Sequence, residues 1–150
     1  MESTHPSPSR LPEKVVSLPA ARLVTMSVVV GAIAGLVLWG VAKLVRPDAS
    51  MGVAAGVGAG VIGTIVGALV IQPWVGRPLS RWPALLLAAQ GIGFFGTLFV
   101  SALLYSTTRP DPVGLAAGSV VSFVGAVIGH ARVFGSCARS VGRAAAAPGA

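Results

Sequence analysis

The sequence predicts an all-α protein: an integral membrane four-helix bundle. Three observations predict it. Apolar residues make up 54% of the 150 and charged residues only 10%, against about 25% charged in an ordinary globular domain. Four apolar segments recur, each of about 20 residues, and ~20 residues at 1.5 Å rise cross a hydrocarbon core of ~30 Å. No Asp or Glu falls inside any of the four: the acids are Glu2, Glu13, Asp48 and Asp111.

Taken in order, residues 1–22 contain MESTHPSPSRLPEKVVSLPA, whose prolines and hydroxyl residues cannot build a core, so a flexible tail is expected. The first span is Leu23 to Val45. Its apolar run exceeds the 7–15 residues of a signal peptide and a long tail precedes it, which favours an uncleaved anchor. Arg46-Pro47-Asp48 follows: Pro stops the helix, and Asp48 is a candidate N-cap for the second span, Met51 to Ile71. A basic loop with Arg77 and Arg81, bracketed by Trp74 and Trp82, leads to the third span, Ala84 to Tyr105. The fourth span, Val113 to Phe134, precedes a second tail, 135–150. Trp74, Trp82 and Tyr105 are expected as interface anchors.

The net charge is +7. No Lys/Arg stripe marks a nucleic-acid face. Membrane orientation accounts for the charge instead. Both tails and the middle loop share one side and carry Arg10, Lys14, Arg22, Arg77, Arg81, Arg132, Arg139 and Arg143; the other side carries Lys43, Arg46 and Arg109. That asymmetry places both termini in the cytoplasm. The single cysteine, Cys137, excludes an intrachain disulfide and a Cys-based zinc cage. A plain free thiol is favoured there over reversible acylation.

Glycine is the dominant motif. GAGVIG (58–63) and GIGFFG (91–96) both fit G-x-G-x-x-G. A dinucleotide site needs a strand before the turn and an acid about 20 residues after it. RPLSRW after the first match holds no acid, and Asp111 after the second lies in a Pro-flanked turn. No nucleotide and no cofactor is expected. At helical spacing the small residues form rows instead: Gly31 and Gly35; Gly52, Gly56 and Gly60, continued by Thr64 and Ala68; Gly63 and Gly67 beside them; Gly93 with Ala89, Thr97 and Ser101; Gly114 and Gly118 with Ser122 and Ala126; and Gly125 and Gly129. In lipid, close backbone packing is what holds helices together, and small-xxx-small rows permit it. These glycines are therefore candidate helix-packing residues, within the chain, in a homo-oligomer or against a partner.

RPDASMGVAAG (46–56) resembles RPDPVGLAAG (109–118) with one residue deleted. The register continues: Gly63 over Gly125, Gly67 over Gly129, and in the preceding spans Gly31 over Gly93 and Gly35 over Thr97. Two readings stand open. The chain is two parallel hairpins related by a pseudo-two-fold along the membrane normal, or turn and helix preferences have produced the likeness twice.

No catalytic or metal-binding constellation is visible. Gln90 and His130 are the intramembrane polar candidates. Gln90 is expected to bridge helices by a hydrogen bond, or else to line a polar path. His130, beside Arg132 at a helix end, is expected to snorkel to water. The span hydroxyls are expected to bond their own helix backbones.

The short first turn, the glycine-rich second span, the basic middle loop and TLFVSALLYSTTRPDPVGLAAG (97–118) together resemble ATP synthase subunit I, a family of small bacterial four-helix membrane proteins. The resemblance covers roughly 23–134. It implies cytoplasmic termini and an accessory role: assembly of the rotor ring of the F-type ATP synthase, or movement of a divalent cation. Members of that family often carry an acidic and a basic residue in the third helix, where LLAAQGIGFFGTLF offers only Gln90. The expectation is thus a non-enzymatic membrane accessory protein that packs against the lipid bilayer and ATP synthase membrane subunits. The alternative is a small oligomeric transporter or channel for an ion or small solute. A third reading is a bare anchor for the tails.

Overall fold

The computed structural model describes residues 15–146. Four helices fill most of that length: α1 (Ala20–Val45), α2 (Ser50–Val70), α3 (Trp82–Thr108) and α4 (Pro112–Ala146). Each carries a stretch long and apolar enough to cross a membrane, with mean hydropathy of 2.2, 2.1, 1.8 and 1.8 in chain order. They pack against one another as an all-α bundle. The 46–49 and 109–111 turns lie at one end, the hairpin end. The 71–81 loop lies at the other, the terminal end.

The helices outrun the expected spans. α1 begins at Ala20 and α3 continues to Thr108. The larger difference is at α4, which does not stop at Phe134 but runs on to Ala146. Its 35 residues reach about 52 Å at 1.5 Å per residue, well beyond a ~30 Å core. Nothing in RVFGSCARSVGRAAA breaks a helix, since it holds no proline and its glycines are isolated. The remaining tail residues, 1–14 and 147–150, lie outside the described residues.

The two turns at the hairpin end differ, and one expectation is corrected. Asp48 does not cap α2. It sits within a 3-10 turn, Pro47–Ala49, and the turn is closed by Ser50 Oγ donating to the Pro47 carbonyl at 2.7 Å. The second turn is one residue shorter and has no such 3-10 step. Here Asp111 Oδ2 accepts directly from the Gly114 N–H at 2.6 Å, and Arg109 ends α3 in the left-handed region at φ 47°.

The terminal end is closed by a strap. Val15–Val16 (β1) pairs antiparallel with Arg77–Pro78 (β2) in the middle loop. Leu18 is buried, and its N–H donates to the Pro73 carbonyl at 2.9 Å. Trp82 is not the interface anchor expected of it: it is fully buried, and its indole N–H donates to the Val16 carbonyl at 3.0 Å. Arg77 donates to the Ile71 carbonyl at 2.7 Å, satisfying an orphan acceptor at the end of α2, and its guanidinium stacks over the Trp82 ring. Residues 15–22 are thus part of the folded unit. Trp74 and Tyr105, by contrast, are exposed.

Helices α2 and α4 run parallel through the middle of the bundle, in backbone contact. A Cβ built on Gly52 would collide with the backbone of Asp111 and stand 3.0 Å from the Leu115 nitrogen. One on Gly114 would collide with Ala49 and stand 3.0 Å from the Val53 nitrogen. Gly56 meets Leu115 and Ser119 in the same way that Gly118 meets Val53 and Val57. Each contact becomes the other when 62 is added to or subtracted from the residue numbers. Gly60 and Ser122, also 62 apart, face each other, the Cβ position of Gly60 lying 2.6 Å from that of Ser122.

The flanking helices obey the same relation. Gly63 and Gly67 of α2 receive α3 at Gly93 and Ala89; Gly125 and Gly129 of α4 receive α1 at Gly31 and Ser27. Gly31 and Gly93, and Ser27 and Ala89, are again 62 apart. The three-dimensional packing therefore has the pseudo-two-fold that the sequence register suggested.

Candidate functional site: the seam between α3 and α4

Among the helix-to-helix contacts the symmetry fails within the hairpins. α1 presses against α2 in its own hairpin, because Gly35 has no side chain to oppose Val57: a Cβ there would stand 2.5 Å from a Val57 methyl. The equivalent position on α3 is Thr97, and α3 and α4 barely touch along their lengths. The seam they leave holds a polar bridge near each end and an apolar groove.

At the terminal end the bridge is Gln90 of α3 with His130 of α4, Gln90 Nε2 lying 2.5 Å from His130 Nδ1. The two intramembrane polar candidates are thus brought together, and Gln90 is a helix bridge. His130 does not snorkel: only 4% of it is exposed, and its Nε2 is buried with no hydrogen-bond partner among the described residues. Gly129 next to it lies against Ser27, so α4 is too close to α1 for the imidazole to swing outward on that side. At the hairpin end the bridge is Ser101 Oγ to Ser119 Oγ at 3.0 Å, with Ser119 Oγ also 3.3 Å from the Gly56 carbonyl of α2. Ser27, Thr64 and Thr97 instead bond the carbonyl four residues earlier in their own helices, as expected.

From Phe94 past the Ser101–Ser119 bridge to Tyr105 and Pro112 at the hairpin end lies a cavity of about 530 Å³ open to the bundle's lipid-facing side. Its walls are apolar and aromatic: Phe94, Leu98, Ala102 and Tyr105 from α3, and Leu115, Ala116, Val120 and Phe123 from α4. Phe94 and Phe123 meet edge to face across its inner end, with ring centroids 5.6 Å apart. The groove has a smaller counterpart of about 360 Å³ between α1 and α2, lined by Ala32, Gly35, Leu36, Trp39, Ala54 and Val57. The positions 62 residues on, Phe94, Thr97, Leu98, Ser101, Ala116 and Ser119, all line the larger one. Trp39 thus stands where the second half has Ser101.

The predicted helix-packing glycines are all placed against neighbouring helices of the same chain: Gly31, Gly35, Gly52, Gly56, Gly60, Gly63, Gly67, Gly93, Gly114, Gly118, Gly125 and Gly129. Gly58 and Gly91, the first glycines of the two G-x-G-x-x-G matches, have open space beside them. Among the described residues no group of three or more His, Cys, Asp or Glu side chains converges. The sequence reading missed the groove. The signal for it was present in the aligned repeat as Trp39 against Ser101 and Gly35 against Thr97.

Comparison with protein-family models, with curated proteins and with solved structures finds no match.

Proposed function

We propose that this multi-pass membrane protein is a non-enzymatic accessory or assembly protein of a bacterial inner membrane, with both termini cytoplasmic, acting through its lipid-facing surface. The observation that supports this reading is the closed interior. The backbones of α2 and α4 touch along Gly52, Gly56, Gly114 and Gly118, so the bundle has no room for an axial path there. The glycine rows are used within the chain, which leaves the outward faces for partners. Those faces carry large apolar side chains, Leu87, Phe95 and Phe99 on α3 among them, around the open Gly91. The likeness to ATP synthase subunit I makes the glycine-rich rotor ring of the F-type synthase the first partner to test.

Photo-crosslinkers placed at Phe95, Phe99 and Gly58 in native membranes test the proposal. Capture of ATP synthase membrane subunits is the expected result. Capture of lipid alone from every position would overturn it. A reporter fused after Arg109 should read as outside, and one at either terminus as cytoplasmic.

A transporter reading has one observation in its favour: Gln90, His130, Thr97, Ser101 and Ser119 all lie on the α3/α4 seam. It predicts solute flux in liposomes that falls in Gln90→Leu. No flux, or flux unchanged by the substitution, would remove it.

A further inference from the structure

We propose that the groove between α3 and α4 is a binding site for a single phospholipid acyl chain from the leaflet at the hairpin end. The inference does not rest on the accessory role.

The shape of the groove suits a chain. The lining residues run from Phe94 to Tyr105 along α3, about 16 Å at 1.5 Å per residue, and an extended hydrocarbon chain can lie along that length.

Chemistry points the same way. Of the hydroxyls lining the groove, Ser101 and Ser119 bond each other and Thr97 bonds the Gly93 carbonyl of its own helix, which leaves the Tyr105 phenol at the mouth as the remaining polar group. The remaining walls are hydrocarbon and aromatic rings, facing a solvent that is itself hydrocarbon. At the mouth, Arg109 lies between the lining residues Tyr105 and Pro112, is exposed, and its guanidinium makes no hydrogen bond or ion pair among the described residues. A phosphodiester over that guanidinium would find a charge-assisted partner while its chain lay in the groove.

The duplicated half shows what the groove lacks. At the equivalent place the α1/α2 groove holds the Trp39 ring, whose face is covered by Lys43 with the ammonium 5.2 Å from the centroid. The second half has Ser101 and Tyr105 at these positions. One half thus narrows its groove with its own indole, and the other leaves that volume to an apolar ligand.

The full chain, reconstituted in phosphatidylethanolamine/phosphatidylglycerol vesicles, extracted in mild detergent and washed, is examined by native mass spectrometry for retained phospholipid. Ser101→Trp restores the indole of the first half; Ala116→Phe fills the groove from α4 should the first variant fail to fold. Wild type is expected to retain one phospholipid, and a groove-filled variant of unchanged helicity to lose at least about tenfold in occupancy. Arg109→Gln is expected to weaken retention while leaving melting unchanged. Gly58→Leu, on the lipid-facing side of α2, is expected to retain lipid as wild type does. Equal retention by wild type and the filled variants would overturn the proposal. So would cysteine crosslinks at Ala102 that capture a second copy or another protein's helix in the seam.

Discussion

Gln90 and His130 show how one hydrogen bond constrains a membrane interior. With the Gln90 amide on Nδ1, the imidazole has one partnered and one unpartnered nitrogen. Removing the amide leaves both buried without a partner, and a stranded buried polar group costs about 1–3 kcal/mol. Gln90→Leu is therefore expected to destabilise by roughly that amount, measured by reversible unfolding in detergent or bicelles. Gln90→Leu with His130→Leu should recover most of the loss, since replacing both partners by apolar groups can be nearly neutral. A double variant as unstable as the two single losses summed would mean that the imidazole is held by something other than Gln90. The pairing itself was only half legible. A lone Gln in a span signals a helix bridge, but its partner lies 40 residues away and is chosen by how α3 crosses α4.

At the scale of elements, glycine has two meanings that sequence alone does not separate. Gly56 and Gly58 are two residues apart on α2. A side chain on Gly56 would strike the backbone of Leu115 and Ser119; one on Gly58 would meet nothing. Gly56→Leu is expected to destabilise by about 1–3 kcal/mol or more, because a backbone contact cannot relax by turning a rotamer. Gly58→Ala is expected to be neutral or to stabilise by about 0.5–1 kcal/mol, as a glycine removed from a helix interior. Thermal or denaturant melts of the two variants side by side check the pair. Element boundaries follow the same logic. Spans were legible because their length is set by the bilayer, whereas the run of α4 to Ala146 was missed because alanine, arginine and isolated glycines also occur in tails.

For the whole molecule, the duplication predicts how the protein comes apart. Helix α1 leans on α4 and α3 leans on α2, so the glycine contacts join one hairpin to the other more than they close either hairpin on itself. A chain cut between Ser80 and Arg81 should reassemble when both pieces are co-expressed, the second piece co-purifying with the first. Gly52→Leu with Gly114→Leu, which removes a symmetry-related pair of contacts, should abolish that. Stable recovery of either piece alone as a folded hairpin would show that the inter-hairpin contacts are dispensable.

The membrane class, the four spans, the small-residue rows and the 62-residue register were all determined by the sequence. Each is a property of hydrophobicity, spacing or repetition along the chain. Tertiary structure alone decided which helix each glycine row meets, because rows of small residues fit one another in many pairings and only packing the whole bundle selects one. It also decided that Trp82 is buried under the strap of residues 15–18 and that His130 is held away from water. Above all it decided where the duplicated halves part. Gly35 lets α1 close on Val57, Thr97 stands at the equivalent position of α3, and the groove that results exists only because two nearly equal halves pack unequally.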